Sequence, residues 1–147
     1  MADSIRQQII NAVDARLKTI TTVNGYNHNL GFNVFEWRDT SLSDPELPAL
    51  IYRDISCETV YLEAHRHRLH IEVELVIKDI SASAVRKMIA DVLKAVGTDV
   101  QWSLLAINTH PEGDEMMVKQ ADKIIGGAIV RFAIEFRTVE WDPYTTI

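Results

Sequence analysis

His65, His67 and His70 stand close together in the chain, with Glu63, Glu72 and Glu74 around them. Imidazoles and carboxylates are common zinc ligands, so the first chemistry to weigh is metal binding. Two histidines two apart on a strand can share a metal, and a metal-dependent hydrolase built this way would use His65, His67 and an acidic residue. A catalytic zinc needs three protein ligands and a closed structural site four. Alternation along a strand puts His65 and His67 on the Leu69 face and turns His70 away. His28 and His110 are isolated, so no second His/Cys pair completes the set. Arg66 and Arg68 would also repel a cation. The expectation is polar residues at a strand end, with no metal.

Nucleophilic chemistry has less support. Cys57 falls in a predicted strand, with no helix start or histidine at hand to lower its pKa, so a buried structural thiol is expected. No G-x-S-x-G, P-loop or G-x-G-x-x-G occurs, and Gly126-Gly127 reads as a strand opening or a bulge. Glu72 and Glu74 resemble an acid–base pair only on paper. On the charged face of a strand they are simpler as partners for Arg131 or Arg137, within the chain or between subunits. No catalytic residue and no cofactor are expected.

The element that must position these residues is His67 to Asp79. Leu69, Ile71, Val73, Leu75 and Ile77 alternate with His70, Glu72, Glu74, Val76 and Lys78. That is a half-buried strand, and burying each large apolar side chain contributes about 1.5–3 kcal/mol, which fixes its register. Val130 to Val139 repeats the pattern: Val130, Phe132, Ile134 and Phe136 share one face, Arg131, Glu135 and Arg137 the other. Two such strands predict a sheet with one covered face.

Helical spacing of Ile5, Ile9, Val13, Leu17 and Ile20 predicts a first helix capped by Asp3 or Ser4. Residues 24 to 31 read as a polar loop and Phe32 to Arg38 as a strand. Pro45 and Pro48 make Thr40 to Pro48 a loop or arm. Ala49 to Cys57 reads as a strand, and Glu58 to His65 links it to the central strand, either as a tight turn or as the start of one long strand. Val85, Met88, Ile89, Val92, Leu93 and Val96 predict a second helix, capped by Ser81 or Ser83. Gly97 follows, where a left-handed residue suits the helix end. Thr98 to Asn108 reads as a strand with Trp102, Leu104 and Ala106 on one face. Thr109 to Asp122 is polar and interrupted, with a short strand around Glu115 to Val118. Glu140 to Ile147 is expected to be a flexible or partner-docked tail. Trp37 and Trp102 suit core and interface equally, whereas Trp141, beside Pro143, is the best interface candidate. The order predicts one α+β domain: two amphipathic helices on one face of a mostly antiparallel sheet.

The 147 residues suit a single domain, and 47% hydrophobic content supplies a core. A net charge of −6 and a pI near 5.3 argue against a general nucleic-acid or anionic-membrane surface. One cysteine excludes an internal disulfide and suits a reducing compartment. No stretch approaches a membrane span, and MADSIRQQ lacks a signal-peptide core, so a cytoplasmic protein is expected.

The layout resembles the tail terminator, or tail completion, proteins of long-tailed bacteriophages. The likeness runs through the helix Ile5 to Ile20, Leu47-Pro48-Ala49-Leu50-Ile51, and the strand Arg68-Leu69-His70-Ile71-Glu72-Val73-Glu74-Leu75. It continues in the helix Val85 to Val96 and the closing Phe136-Arg137-Thr138. The resemblance implies a non-enzymatic virion protein, assembled in the host cytoplasm and resident at the head-proximal end of the tail. Its partners would be copies of itself in a ring, commonly a hexamer, the tail tube protein, and head–tail connector or neck proteins. Such a ring stops tube growth, offers a surface for head joining, and lets DNA pass without sequence-specific binding. Arg66, Arg68, Glu72, Glu74, Arg131, Arg137 and Trp141 are the candidate interface residues, because opposite charges along one strand face suit head-to-tail pairing. Two alternatives stay open besides the hydrolase: another small connector or neck protein, and a cytosolic ligand-binding domain with a cleft between sheet and helices.

Overall fold

Leu69, Ile71, Val73 and Leu75 are buried, and His70, Glu72 and Glu74 between them are half-exposed. This alternation decides the architecture, because it leaves one face of the sheet to be covered and the other open. The computed structural model describes residues 2–78, 81–120 and 124–147. The protein is α+β, with two α-helices and a mixed six-stranded sheet. β3 (His65–Ile77) lies at its centre, antiparallel to β2 (Ala49–Tyr61) and to β5 (Ile124–Val139). The short β1 (Val34–Glu36) runs parallel to β2, and β4 (Asn108–Gln120) runs antiparallel to β5. The order is β1-β2-β3-β5-β4. β6 (Asp142–Thr146) pairs with the last residues of β5, in line with β4.

The expected pairing of the two alternating strands is present. Leu69 lies opposite Ile134, Ile71 opposite Phe132 and Val73 opposite Val130, all buried. α1 (Ile5–Leu17) and α2 (Ala82–Val96) cover this face. Ser4 Oγ accepts the Gln7 N–H and Ser81 Oγ the Ala84 N–H, so each helix start satisfies an otherwise orphaned donor. Ile9, Val13 and Leu17 of α1 and Val85, Met88 and Val92 of α2 are buried. α1 stops at Leu17, one turn short of Ile20, which is nevertheless buried.

Several elements differ from the sequence reading. Thr98 to Asn108 is not a strand. Trp102, Ser103 and Leu104 have φ of 51°, 57° and 69°, a left-handed turn held by the Asp99 carboxylate, which accepts the Gln101 and Ser103 N–H groups. Trp102 is buried, with its Nε1–H donating to Thr109 Oγ1 at 2.8 Å and the Arg16 guanidinium 4.0 Å above its ring. Leu104 points to water at 79% exposure, so the supposed shared face does not exist. The polar segment that follows is instead the long strand β4. It lies at the sheet edge, where Pro111 and a bulge between Pro111 and Gly113 are tolerated. Asp122, at the end of that segment, and Asp79, at the end of the central stretch, lie outside the described residues.

Gly126 and Gly127 neither open β5 nor bulge; they pair with Ile77 and Val76. Gly97 is right-handed, with φ −72°, so α2 ends without the left-handed cap. Leu93 is 41% exposed and leaves the α2 stripe, whereas Asp91 and Ala95 are buried. Only Val34–Glu36 of the expected Phe32 to Arg38 strand is extended. Leu30–Phe32 forms a 3-10 turn before it and Trp37 turns left-handed after it. β2 runs on to Tyr61, which resolves Glu58 to His65 as continuation followed by a tight turn. The C-terminal tail, expected to be flexible or docked on a partner, pairs within the chain as β6.

Candidate functional site

Strand alternation splits the histidines as predicted. His65 and His67 lie on the helix side of β3 and His70 on the open side. His67 stacks on Phe136, with ring centroids 4.6 Å apart. Its Nδ1 is 2.9 Å from Thr59 Oγ1 and its Nε2 2.8 Å from Thr138 Oγ1. Both nitrogens are engaged, and burial, then His65 and Arg6, lowers its pKa, so the imidazole is held neutral. His65 accepts the Trp141 N–H at 3.4 Å and meets the Tyr61 and Trp141 rings edge-on. Among the described residues, no group of three or more His, Cys, Asp or Glu side chains is placed to hold a metal. Cys57 is half-buried, and burial pushes its thiol pKa up, which disfavours the thiolate.

The charged residues of β3 are brought together with those of its neighbours on the open face. Cross-strand partners share a face, so the register fixes who meets whom. Glu72 lies 3.5 Å from Arg131 and 3.9 Å from Arg53, and Glu74 lies 3.3 Å from Arg53. Arg131 also binds Glu115 at 2.8 Å. The expected Glu72–Arg131 pair is therefore present, whereas Glu74 turns to Arg53 on β2. Arg66, Arg68 and His110 converge on Glu135 at 3.0, 3.2 and 3.1 Å. Burial pushes the Glu135 carboxyl up, but Arg66 first, then His110 and Arg68, outweigh it and hold it below the usual carboxylate range.

His70 extends this network outward to carboxylates on β4 and β2. Its Nδ1 is 2.7 Å from Glu112 and its Nε2 2.7 Å from Glu58. Ala133 stands opposite His70 on β5, and its small side chain lets the imidazole reach across to β4. Glu112, with Glu58 adding, raises the His70 pKa against the opposing effect of burial. Arg137 is exposed and has no ion-pair partner among the described residues.

Two further features lie at the ends of the open face. At the β2–β3 turn, Val60, Tyr61 and Leu62 are largely exposed, and Trp141 beside them is 85% exposed at a left-handed position. At the other end, the arm that begins at Arg38 folds over the sheet. Arg38 is ion-paired with Glu46, and Ser43 completes a capping box with it. Arg38 first, then Ser43, holds the Glu46 carboxyl down to about 2. The arm and the open face enclose a cavity of about 390 Å³ lined by Leu42, Leu47, Ile51, Val76 and Met117 among others. It lies on the face away from the helices, so it is not the cleft between sheet and helices that a ligand-binding domain was expected to use.

Arg53, Glu58, His110 and Glu112 were missed in the sequence. Arg53 and Glu58 share one face only because β2 shifts register between Asp54 and Ser56, and β4 carried no alternating apolar signal. Asp91 was missed too. It is buried and accepts the Asn27 and His28 N–H groups at 3.0 Å, which ties the loop before β1 to α2.

A scan against models of known protein families finds none that matches the chain, and no curated protein matches it. Among the described residues, no helix is long and apolar enough to cross a membrane.

Proposed function

We propose that the chain is a non-enzymatic assembly subunit of the tail-terminator kind, which forms a ring on the end of a phage tail tube. One observation carries the reading: the sheet has long unpaired edges on both sides. β1 pairs with β2 only at Leu50, Ile51 and Tyr52, so β2 from Arg53 to Tyr61 has no outer neighbour among the described strands. The outer edge of β4 is likewise open along its length among the described residues. Unpaired edges recruit other strands unless something covers them. Pro111 and the adjoining bulge blunt the first part of β4, which leaves Asp114 onward as its cleaner edge. Edges on opposite sides of one sheet suit a head-to-tail contact, which closes into a ring when the rotation per subunit is right. Exposed Tyr61, Leu62 and Trp141 add apolar surface for the tube or neck protein. In this reading the protein resides at the head-proximal end of the virion tail.

The test is native mass spectrometry across protein concentration, with electron microscopy of tubes grown from a phage tail tube protein. Closed rings, and tubes that stop growing when the protein is added, are the expected result. A chain that stays monomeric at every concentration and leaves tube length unchanged refutes the reading.

A further inference from the structure

On the open face of β3 the charges run Arg66, Arg68, His70, Glu72, Glu74. The order is antisymmetric about His70: cations on one side, carboxylates at the same spacing on the other. The neighbouring strands repeat it. On β5, Glu135 and Arg131 stand level with Arg68 and Glu72, with Ala133 level with His70. On β2, Glu58 and Arg53 stand level with the same two residues, with Ser56 between them. One step further out, Val60 is level with Arg66 and Ile51 with Glu74.

We propose that this face docks against the same face of a second copy, about a twofold axis that passes over His70 and lies across the strands. Such an axis reverses strand direction and lays each strand over its own copy. Arg68 then meets Glu72 of the second copy, Arg66 meets Glu74, Glu58 meets Arg53 and Glu135 meets Arg131. Val60 comes level with Ile51, which is buried beneath the arm, so the exposed hairpin end of each copy meets the arm of the other at the rim of its cavity, where Leu42 and Leu47 lie beside Arg38, Arg53 and Glu74. Ala133 and Ser56 lie at the axis, where small side chains let the two sheets approach. Packed sheets lie about 10 Å apart and cross at about 30°, an angle that leaves these near-axis pairs within side-chain reach.

A heterologous contact needs no such antisymmetry, whereas an isologous one requires the surface to complement itself. Here three adjacent strands invert their charge about one level. The occupant is therefore a second copy of this chain and not an unrelated partner. Glu58, Glu72, Glu74 and Glu135 keep their partners within the chain and each gains a cation across the interface. The half-buried charges must give up their remaining water, which limits affinity and makes the dimer salt-sensitive. This inference goes beyond the ring reading and does not depend on it, because the lateral edges of both sheets stay open in the dimer.

The experiment uses two charge reversals in the full chain, Arg68→Glu and Glu72→Arg. Each alone creates two symmetry-related like-charge contacts in its own dimer. At about tenfold each, dimer affinity falls by about a hundredfold. Mixed together, the two variants restore both contacts, since Glu at 68 faces Arg at 72 and the native Glu72 faces Arg68. Below the concentration at which rings assemble, sedimentation velocity and native mass spectrometry should find a wild-type dimer, monomeric single variants, and a one-to-one heterodimer in the mixture. Circular dichroism checks that each variant folds. Val60→Asp, at an exposed position that bears no charge pair, provides a second handle and should also weaken the wild-type dimer. The proposal is overturned if wild type is monomeric at high concentration, if either reversal leaves the dimer intact, or if the mixture stays monomeric. Where rings also form, each reversal alone should remove the face-to-face copy and halve the assembly's mass, and rings of unchanged mass would overturn the proposal as well.

Discussion

Gly127 offers the sharpest test of how the central strands fit. A Cβ built on it would lie 2.3 Å from the Leu75 carbonyl oxygen, where ordinary contact begins near 3.4 Å. Gly127→Ala therefore forces β3 and β5 apart by roughly 1 Å, against a normal spacing of about 4.8 Å. The neighbouring Ala128–Leu75 pair is drawn in, and Leu75 is buried. Overpacking of this kind costs about 1–3 kcal/mol, and a weakened backbone hydrogen bond adds about 1 kcal/mol. Alanine recovers about 0.5–1 kcal/mol by stiffening the unfolded chain. The net expectation is a loss of about 2–3 kcal/mol in urea unfolding, followed by the fluorescence of buried Trp102. Gly113→Ala is the control: it has φ +98° and no atom within 4 Å of the added Cβ, so only left-handed strain of about 1–2 kcal/mol applies. If Gly127→Ala is within about 0.5 kcal/mol of wild type, or milder than Gly113→Ala, the close-approach argument is wrong.

Asp91→Ala removes the acceptor for two backbone donors and the Asn27 Nδ2 group, and should cost about 3 kcal/mol. Amide exchange at Asn27 and His28 should accelerate with it, and unchanged exchange there would show that Asp91 does not hold the loop. His70 has a folded pKa raised above its ordinary 6.5, chiefly by Glu112 and then Glu58. Its contribution is thus fully present below the unfolded value and is lost as pH rises through the folded one. The stability gap between wild type and His70→Gln should therefore be widest below about pH 6 and narrow as pH rises past the ordinary histidine range. A gap that is flat across that window would mean that the imidazole does not bridge the two carboxylates.

β3 and β5 were legible because a strand with one buried face must alternate, and five apolar positions in register leave little choice. The same rule failed at Trp102, Leu104 and Ala106. Three alternating residues also fit a left-handed turn, and the deciding feature was Asp99, whose carboxylate accepts the Gln101 and Ser103 N–H groups. β4 was illegible for the opposite reason. An edge strand above an open face has little to bury, so only the stretch around Glu115 to Val118 read as strand, and Glu112 and Asp114 read as interrupted polar chain. The face assignments of His65, His67 and His70 followed from parity alone. The partners of Glu74 did not, because Arg53 reaches it only through the shift between Asp54 and Ser56. Asp91 left no trace in the pattern, since a lone carboxylate on a helix is ordinarily wet.

Net charge hides what matters most on the open face. A surface that only has to meet water is served by any interspersed mixture of signs. On β3 the signs are instead sorted, cations towards the His65 end and carboxylates towards the Ile77 end. Neutralisation comes sideways, from Glu135 beside the cations and from Arg53 and Arg131 beside the carboxylates. Sorting along a strand with compensation across strands makes each row a dipole, and adjacent rows oppose one another. Two such faces attract best when one is reversed end for end, and a shift of four residues along β3 puts Arg68 opposite Arg68 or Glu72 opposite Glu72. The charge order therefore selects both the register and the direction of the contact, which apolar burial alone would leave free to slide.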